Sequence, residues 1–205
     1  MSDQYNNQSS TQSEPTPAQV NQQNQGVSPD QNNAALHVHR RKLAMANSQQ
    51  LDLLKQGVNA WNAWRQTHLD IQPDLNEADL SNLDLSGADL SQVNLSGANL
   101  TSTTVRKTDL SWASLVGADL SGADLSESLL NVTDLSGAIL TGASLIHADL
   151  SNATLIDTNF IDADLSRADL TDADMHGAFL KDANLKGTLI TPEQLNQAQP
   201  PENIP

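Results

Sequence analysis

The sequence predicts an all-β solenoid, in which residues 73–192 coil into a rod-like parallel β-helix. An apolar residue recurs every five residues without interruption from Leu75 to Ile190, which gives 24 repeats, and 20 of these apolar centres are Leu. A small residue precedes most centres by two places, and it is Ala in 15 of the 24 repeats. Aromatic residues make up only 3% of the chain, so the core must consist of Leu and Ala. Such a core is typical of a thin repetitive fold rather than a compact globule.

A period of five residues matches neither an amphipathic helix nor a flat strand. The small residue and the apolar centre are two places apart, which puts both on one face of a short strand. The other three positions are mostly Asp, Asn, Ser, Thr or Gly, which favour turns. Each block is therefore a very short strand followed by a turn, and equivalent residues of successive coils must lie side by side.

The blocks have the form A(D/N)LXX, as in residues 88–92 (ADLSQ) and 118–122 (ADLSG). In this the chain resembles the pentapeptide-repeat family, over about 120 residues. Residues 56–65 (QGVNAWNAWR), followed by PDL at 73–75, look like the helical lead-in of many cyanobacterial members. The resemblance implies a right-handed, quadrilateral β-helix with four pentapeptides per coil, hence about six coils. Family members include a regulator of heterocyst patterning and quinolone-resistance proteins that mimic DNA and bind gyrase.

Composition divides the chain into four segments. Residues 1–35 are rich in Gln, Asn, Ser and Pro and are expected to form a disordered arm, because they bury too little apolar surface to offset the entropy of ordering. Residues 36–72 contain a basic cluster (HVHRRK) and an amphipathic helix over about 48–67. Residues 73–192 form the β-helix, and residues 193–205 form a C-terminal cap and a loose tail.

Both ends of a solenoid expose open strands, so both need caps. The helix over about 48–67 is the predicted N-terminal cap, which lays Leu54, Val58 and Trp61 over the first coil.

At the C-terminal end, Thr191 is the predicted N-cap of a short helix with Pro192 at its first position. Gln194 completes a capping box with Thr191. Leu195 is expected to close the last coil.

Stacking four repeats per coil places residues 20 apart in one column. The apolar centres then form core ladders, one of which consists of Leu75, Leu95, Leu115, Leu135, Leu155 and Met175.

The same stacking predicts an apolar patch on the surface. Trp112 and Val132 are 20 residues apart, and Leu129 points outward on the same face between Asp109 and Asp149. Such a cluster in an acidic wall is a candidate protein-binding site. The alternative is an exposed tryptophan that shields its neighbours and has no partner.

Two further sets depart from a plain polar surface. The first is apolar and scattered over the two faces on the other side of the rod, and it is either a self-association surface or a group of ordinary exposed residues: Val116, Ile139, Ile156, Ile161 and Phe179. The second collects basic residues on one face, where a solvated face that relieves charge repulsion is the simpler interpretation: Arg106, Lys107, Arg167 and Lys186.

Charge and composition exclude several kinds of function. Residues 73–192 carry 18 acidic and 5 basic residues, a net charge of −13, which argues against binding nucleic acid through its phosphates. There is no cysteine, and the N-terminus has no apolar stretch that would act as a signal or membrane segment. We therefore expect an acidic cytoplasmic protein that does not bind membranes.

The sequence contains no set of residues typical of catalysis. The five histidines do not converge with carboxylates, and no phosphate-binding loop or nucleophile motif is present. We therefore expect no enzymatic activity, no metal and no cofactor. The favoured function is a protein-interaction or regulatory scaffold with an unknown protein partner, and the chain is expected to be a monomer or weak dimer. The alternative is a DNA-mimicking inhibitor or protector of a topoisomerase such as gyrase.

Overall fold

The computed structural model describes residues 48–199. The expected disordered arm (1–35), the basic cluster (37–42) and the end of the tail (200–205) lie outside the described residues. All of the described residues belong to one compact unit.

Within residues 48–199, three helical segments flank the repeats: α1 at residues 48–56, α2 at Val58–Thr67 and α3 at Pro192–Gln197. The single helix expected over about 48–67 is wrong at Gly57. This residue has φ 125° and ψ 158°, which interrupt the helix and which glycine adopts readily because it lacks Cβ. Its carbonyl then starts α2 by accepting a hydrogen bond from the Trp61 N–H at 3.1 Å.

Between α2 and α3, each pentapeptide contributes one residue to parallel bridges rather than an extended strand. Every bridge joins residues 20 apart, from Asp74 with Asn94 to Asp169 with Leu189. Four pentapeptides therefore complete one turn of the chain and produce four faces. We name the faces A, B, C and D after the first bridged residue of each, which are Asp74, Asp79, Asp84 and Asp89 respectively.

The apolar centres fill the interior. The six residues of the face A column are all 0% exposed: Leu75, Leu95, Leu115, Leu135, Leu155 and Met175. Where Thr replaces Ala two places before a centre, its hydroxyl donates to a main-chain carbonyl 23 residues earlier. Thr103 Oγ1 donates to the Leu80 carbonyl, and Thr133 Oγ1 donates to the Leu110 carbonyl, both at 2.8 Å. The buried hydroxyls are thus satisfied inside an otherwise apolar core.

The turns explain the polar part of the motif. The position two places after each centre has left-handed backbone in every pentapeptide from Glu77 to Gly187, with φ between 54° and 75°. The residue one place before the centre stabilises the same turn through its side chain. Asp119 Oδ1, for example, accepts from the Ser121 N–H at 2.9 Å and from its hydroxyl at 2.6 Å. Asp and Asn form such turns readily, and Ser or Thr supplies the second donor.

The N-terminal helices pack on the first turn of the repeats. Leu54 and Trp61 are buried, and Val58 is half-buried against the core. Trp61 Nε1 donates to the Asp89 carbonyl at 2.7 Å, and Arg65 Nε lies 3.5 Å from Asp89 Oδ2. Side chains of α2 therefore contact the chain where face D begins.

At the C-terminal end, the predicted capping box is confirmed. The Thr191 N–H donates to Gln194 Oε1 at 2.9 Å, and the Gln194 N–H donates to Thr191 Oγ1 at 3.2 Å. The expectation that Leu195 closes the last coil is wrong, since this side chain is 42% exposed. Gln194 is buried instead, because its amide donates to the main-chain carbonyls of Leu170 and Ala173.

Candidate protein-binding surface

Leu129 is the first component of an apolar patch on face D. It occupies the bridged position one place before a centre, where it pairs with Asp109 on one side and Asp149 on the other. Its side chain is 45% exposed. Bridged positions point away from the core, so the leucine projects outward between two carboxylates.

Trp112 and Val132 occupy the turns that end face D, one turn of the chain apart. The Trp112 N–H donates to the Asn131 carbonyl at 3.2 Å, and the Val132 N–H donates to the Ser151 carbonyl at 3.0 Å. Trp112 is 63% exposed, and Val132 is half-buried. The structure therefore places all three residues along face D, and we call Trp112, Leu129 and Val132 the Trp112 patch.

The patch residues in the turns have an unfavourable backbone conformation. Trp112 has φ 62° and Val132 has φ 59°. Positive φ is rare for residues other than Gly, Asn and Asp, and it is an outlier for a β-branched side chain. The same turn position next along the column is occupied by Asn152 and Asp172, which tolerate this backbone.

Acidic residues surround the patch. Asp109, Asp149 and Asp169 each use Oδ1 to accept a hydrogen bond from the N–H two residues later, at 2.9 to 3.0 Å. None of the three forms an ion pair within the described residues. The pentapeptides of face D, from 88–92 to 188–192, contain no Lys, Arg or His.

Leu189 is an exposed residue that the sequence interpretation missed. It continues the face D bridges beyond Asp169 and is 58% exposed. The signal was available, because Leu189 occupies the bridged position at which most repeats have Asp, Asn, Ser or Thr.

The second apolar set lies on faces A and B. Val116 and Ile139 are each 40% exposed and Ile156 is 36% exposed, whereas Ile161 and Phe179 are half-buried. None of the five occupies a left-handed position. These side chains therefore sit on the surface without the backbone cost seen at Val132.

Two of the four basic residues of face C, Arg106 and Lys107, form ion pairs. Arg106 contacts Asp124 at 3.2 Å and Glu127 at 2.9 Å, and Lys107 contacts Glu127 at 3.4 Å. Arg167 Nη1 lies 3.5 Å from Nε2 of His147. This arrangement relieves like-charge repulsion and agrees with a solvated charged face.

The described histidines are not grouped with other metal-binding side chains. Among residues 48–199, no group of three or more His, Cys, Asp or Glu side chains is placed to hold a metal ion. His176 Nδ1 contacts Asp174 Oδ1 at 2.5 Å, and this hydrogen bond lowers the pKa of the Asp174 carboxyl. His37 and His39 lie outside the described residues. Within residues 48–199, the helices are too short or too polar to span a bilayer.

Comparison with known proteins identifies the repeats. A family model described as pentapeptide repeats (8 copies) matches residues 74–111, 94–131, 118–155 and 148–187, which together span more than half of the chain. No curated protein matches the chain. Rfr23, a pentapeptide repeat protein from the cyanobacterium Cyanothece 51142, is a similar solved structure with 25% identity and a TM-score of 0.42, covering 67% of this chain and 95% of that chain.

Two further solved structures are similar. A pentapeptide repeat protein from Nostoc PCC 7120 is 39% identical with a TM-score of 0.35, covering 45% of this chain and 78% of its own. Full-length QnrB1, a plasmid-mediated fluoroquinolone resistance protein, is 19% identical with a TM-score of 0.32, covering 61% of this chain and 83% of its own. These TM-scores are low, so the assignment depends on the repeats themselves. With the family model matching over half of its length, this chain belongs to the pentapeptide repeat family, whose fold is a right-handed quadrilateral β-helix.

Proposed function

We propose that this chain is a non-catalytic protein-interaction scaffold that binds a protein partner through the Trp112 patch on face D. The observation that carries the proposal is that Trp112 is 63% exposed in a left-handed turn. Exposed aromatic side chains surrounded by polar residues are enriched at protein interfaces. The repeats then serve as a rigid support that holds the patch in place.

The backbone conformation strengthens this proposal. Val132 costs stability in its turn because a β-branched residue disfavours φ near 59°. Trp112 gains little from burial in return, since it is 63% exposed, whereas Val132 is partly buried. Strained residues that folding does not require often occur at functional sites. A contact with a partner explains why apolar residues stand where Asn or Gly would stabilise the turn.

The proposed scaffold has about six coils, formed by the 24 repeats, and α1 and α2 act as its N-terminal cap. The buried contacts of Leu54 and Trp61 support this role for the helices. We place the scaffold in the cytoplasm as a monomer or weak dimer, with the second apolar set as the self-association surface. Fractionation of the source cells and sedimentation at several protein concentrations test these points.

Affinity capture with matched variants tests the patch. Trp112→Gln with Val132→Asn replaces both residues by ones that occur in the same column, Gln92 and Asn152. The control is Val116→Ser with Ile156→Ser, which removes apolar surface from face A. Serine already occurs in the same column, at Ser96 and Ser136. We expect a partner that the native chain and the control retain and the patch variant loses. A purified partner should then bind the patch variant at least about tenfold more weakly. Equal retention by all three proteins contradicts the proposal.

DNA mimicry at a topoisomerase is a second candidate function. The net charge of −13 over residues 73–192 favours it, because an acidic rod presents the sign of charge that a DNA-binding groove accepts. A gyrase supercoiling assay tests it directly. Inhibition or protection at micromolar protein supports mimicry, and the absence of both excludes it.

A further inference from the structure

The outward residues of face D follow a regular order along the axis. The bridges connect, in sequence, Asp89, Asp109, Leu129, Asp149, Asp169 and Leu189. Two exposed leucines are therefore separated by two carboxylates, and two more carboxylates precede the first leucine. Leu129 is 45% exposed and Leu189 is 58% exposed, so both leucines are accessible.

The carboxylates differ in how much of their charge is already compensated. Asp89 Oδ2 lies 3.5 Å from Arg65 Nε, so the chain itself compensates the first carboxylate. Asp109, Asp149 and Asp169 have no ion-pair partner among residues 48–199. Their turn hydrogen bonds use Oδ1, which fixes the side chain and leaves Oδ2 available. Face D thus presents an ordered acidic row on both sides of Leu129.

The spacing of this row matches an α-helix that lies along the axis. Neighbouring bridged residues are about 4.8 Å apart, so Asp149, Asp169 and Leu189 lie about 5, 10 and 14 Å from Leu129. In an α-helix, residues i+3, i+7 and i+10 lie about 4.5, 10.5 and 15 Å from residue i and share one side of the helix. An extended strand fits poorly, because its residues on one side are about 6.8 Å apart.

A groove continues the row at its C-terminal end. It has a volume of about 680 Å³ and is lined by residues that include Asp172, Leu189 and Gln194. An apolar side chain at the end of a docked helix has room here beside Leu189. Asp172 adds one more carboxylate at the same end of face D.

We propose that face D binds a basic amphipathic α-helix of the partner protein, lying parallel to the solenoid axis. The helix presents apolar residues at i and i+10 to Leu129 and Leu189, and Lys or Arg at i+3 and i+7 to Asp149 and Asp169. A further basic residue at i−3 faces Asp109. Trp112 and Val132 contact the side of the same helix. This inference rests on the proposed scaffold function and specifies the chemistry of its partner.

A synthetic peptide provides the test. It is an Ala/Gln-based helix of about 20 residues with Leu at i and i+10 and Lys at i−3, i+3 and i+7. A control peptide has the same composition, but its lysines are moved to i−2, i+5 and i+9, on the other side of the helix. Calorimetric titration measures binding, and the circular dichroism of the mixture reports whether the peptide becomes more helical. We expect the first peptide to bind at least about tenfold more tightly than the control peptide.

Protein variants test the position of the helix. Asp149→Asn with Asp169→Asn removes the two carboxylates between the leucines but keeps the turns, since Asn94 and Asn159 accept the same N–H hydrogen bond in other repeats. Asp134→Asn with Asp164→Asn removes equal charge from faces A and C. Only the first pair should weaken binding, by about tenfold or more.

Several results would overturn the inference. Equal binding of both peptides, or an equal loss in both Asn variants, shows non-specific charge attraction. If the peptide does not bind but partner capture still depends on Trp112 and Val132, the docked helix is rejected and the proposed function is retained. Loss of both signals rejects both proposals. Dimerisation of the native chain that Leu129→Thr abolishes identifies a second copy as the occupant of face D and rejects the partner helix.

Discussion

The side-chain amide of Asn62 forms hydrogen bonds with the backbone at Asp89 and Gly87, in the first turn of the repeats. Asn62 Oδ1 accepts from the Asp89 N–H at 2.9 Å, and Asn62 Nδ2 donates to the Gly87 carbonyl at 2.9 Å. Within the repeats, the N–H of each bridged residue donates to a carbonyl of the preceding turn, as the Asp109 N–H does to the Ala88 carbonyl at 3.0 Å. The first turn has no preceding one, so the Asn62 side chain supplies the acceptor for the Asp89 N–H and adds a hydrogen bond to the Gly87 carbonyl.

Asn62→Asp should destabilise the fold by about 1–3 kcal/mol. The change keeps the acceptor for the Asp89 N–H but removes the donor to the Gly87 carbonyl and adds a charge beside the Asp89 carboxylate. Chemical denaturation measures the free energy of unfolding. Asn82→Asp is the control, since Asn82 is exposed and its left-handed turn tolerates Asp. Similar losses for the two variants would argue against a special role for Asn62.

Gln194 should contribute more to stability than Leu195 does. Gln194→Ala leaves the carbonyls of Leu170 and Ala173 without their amide donor and breaks the capping box, so we expect a loss of about 1–3 kcal/mol. Leu195→Ala removes a side chain that is 42% exposed and should change the free energy of unfolding by less than about 0.5 kcal/mol. Thermal and denaturant unfolding compare the two. The reverse order would mean that Leu195 closes the solenoid after all.

Val132→Asn should stabilise the chain, by about 1 kcal/mol, because Asn tolerates the left-handed backbone that Val disfavours. The same variant should weaken partner binding if the Trp112 patch is the contact surface. Gly122→Val is the reciprocal control, since Gly122 has φ 65° in an equivalent turn and Val should destabilise it. A destabilised Val132→Asn variant would show that the valine supports the fold rather than an interaction.

The five-residue period is sufficient to predict the family, the inward leucines and the polar turns, because each repeat obeys the same local rules. The C-terminal capping box was predictable for a similar reason, since Thr191 and Gln194 are only three residues apart. The roles of Asn62 and Gln194 at the ends were not, because each depends on where a helix packs against residues more than 20 positions away. The expectation that Leu195 closes the last coil was wrong for the same reason, because hydrophobicity alone does not show which side of α3 faces the core.

The candidate surface on face D likewise has features that the sequence predicts and features that it does not. Stacking by 20 residues predicts that Trp112, Leu129 and Val132 share face D, and the structure places them there. The apolar and acidic order of the full column was missed because Leu189 was not counted among the outward apolar residues, although it departs from the Asp, Asn, Ser or Thr of most repeats at that position. Backbone strain at Val132 could not be seen until the turn position was known to be left-handed throughout the repeats.

Acid should weaken the turns by protonating their aspartates. Hydrogen bonds from the Ser81 hydroxyl and N–H lower the pKa of Asp79 below the ordinary value of 3.8, and the equivalent bonds from Ser86 lower the pKa of Asp84. A carboxyl with a lowered folded-state pKa stabilises the fold above its unfolded-state pKa. This contribution disappears as the pH falls from about 3.8 through the lower folded-state value.

Titration of the side-chain carboxyl resonances by NMR measures the pKa values of Asp79 and Asp84, and we expect each to lie below 3.8. Ser81→Ala with Ser86→Ala should raise the pKa values of Asp79 and Asp84 because it removes the hydroxyl donors. In the double variant Asp79→Asn with Asp84→Asn, the asparagine side chains still accept the turn hydrogen bonds. Neither asparagine has a carboxyl group that could be protonated. The free energy of unfolding of this variant should therefore fall less steeply than that of the native chain as the pH drops below about 4. Identical pH profiles for the native chain and the Asn variant would show that these hydrogen bonds do not favour the ionised aspartates.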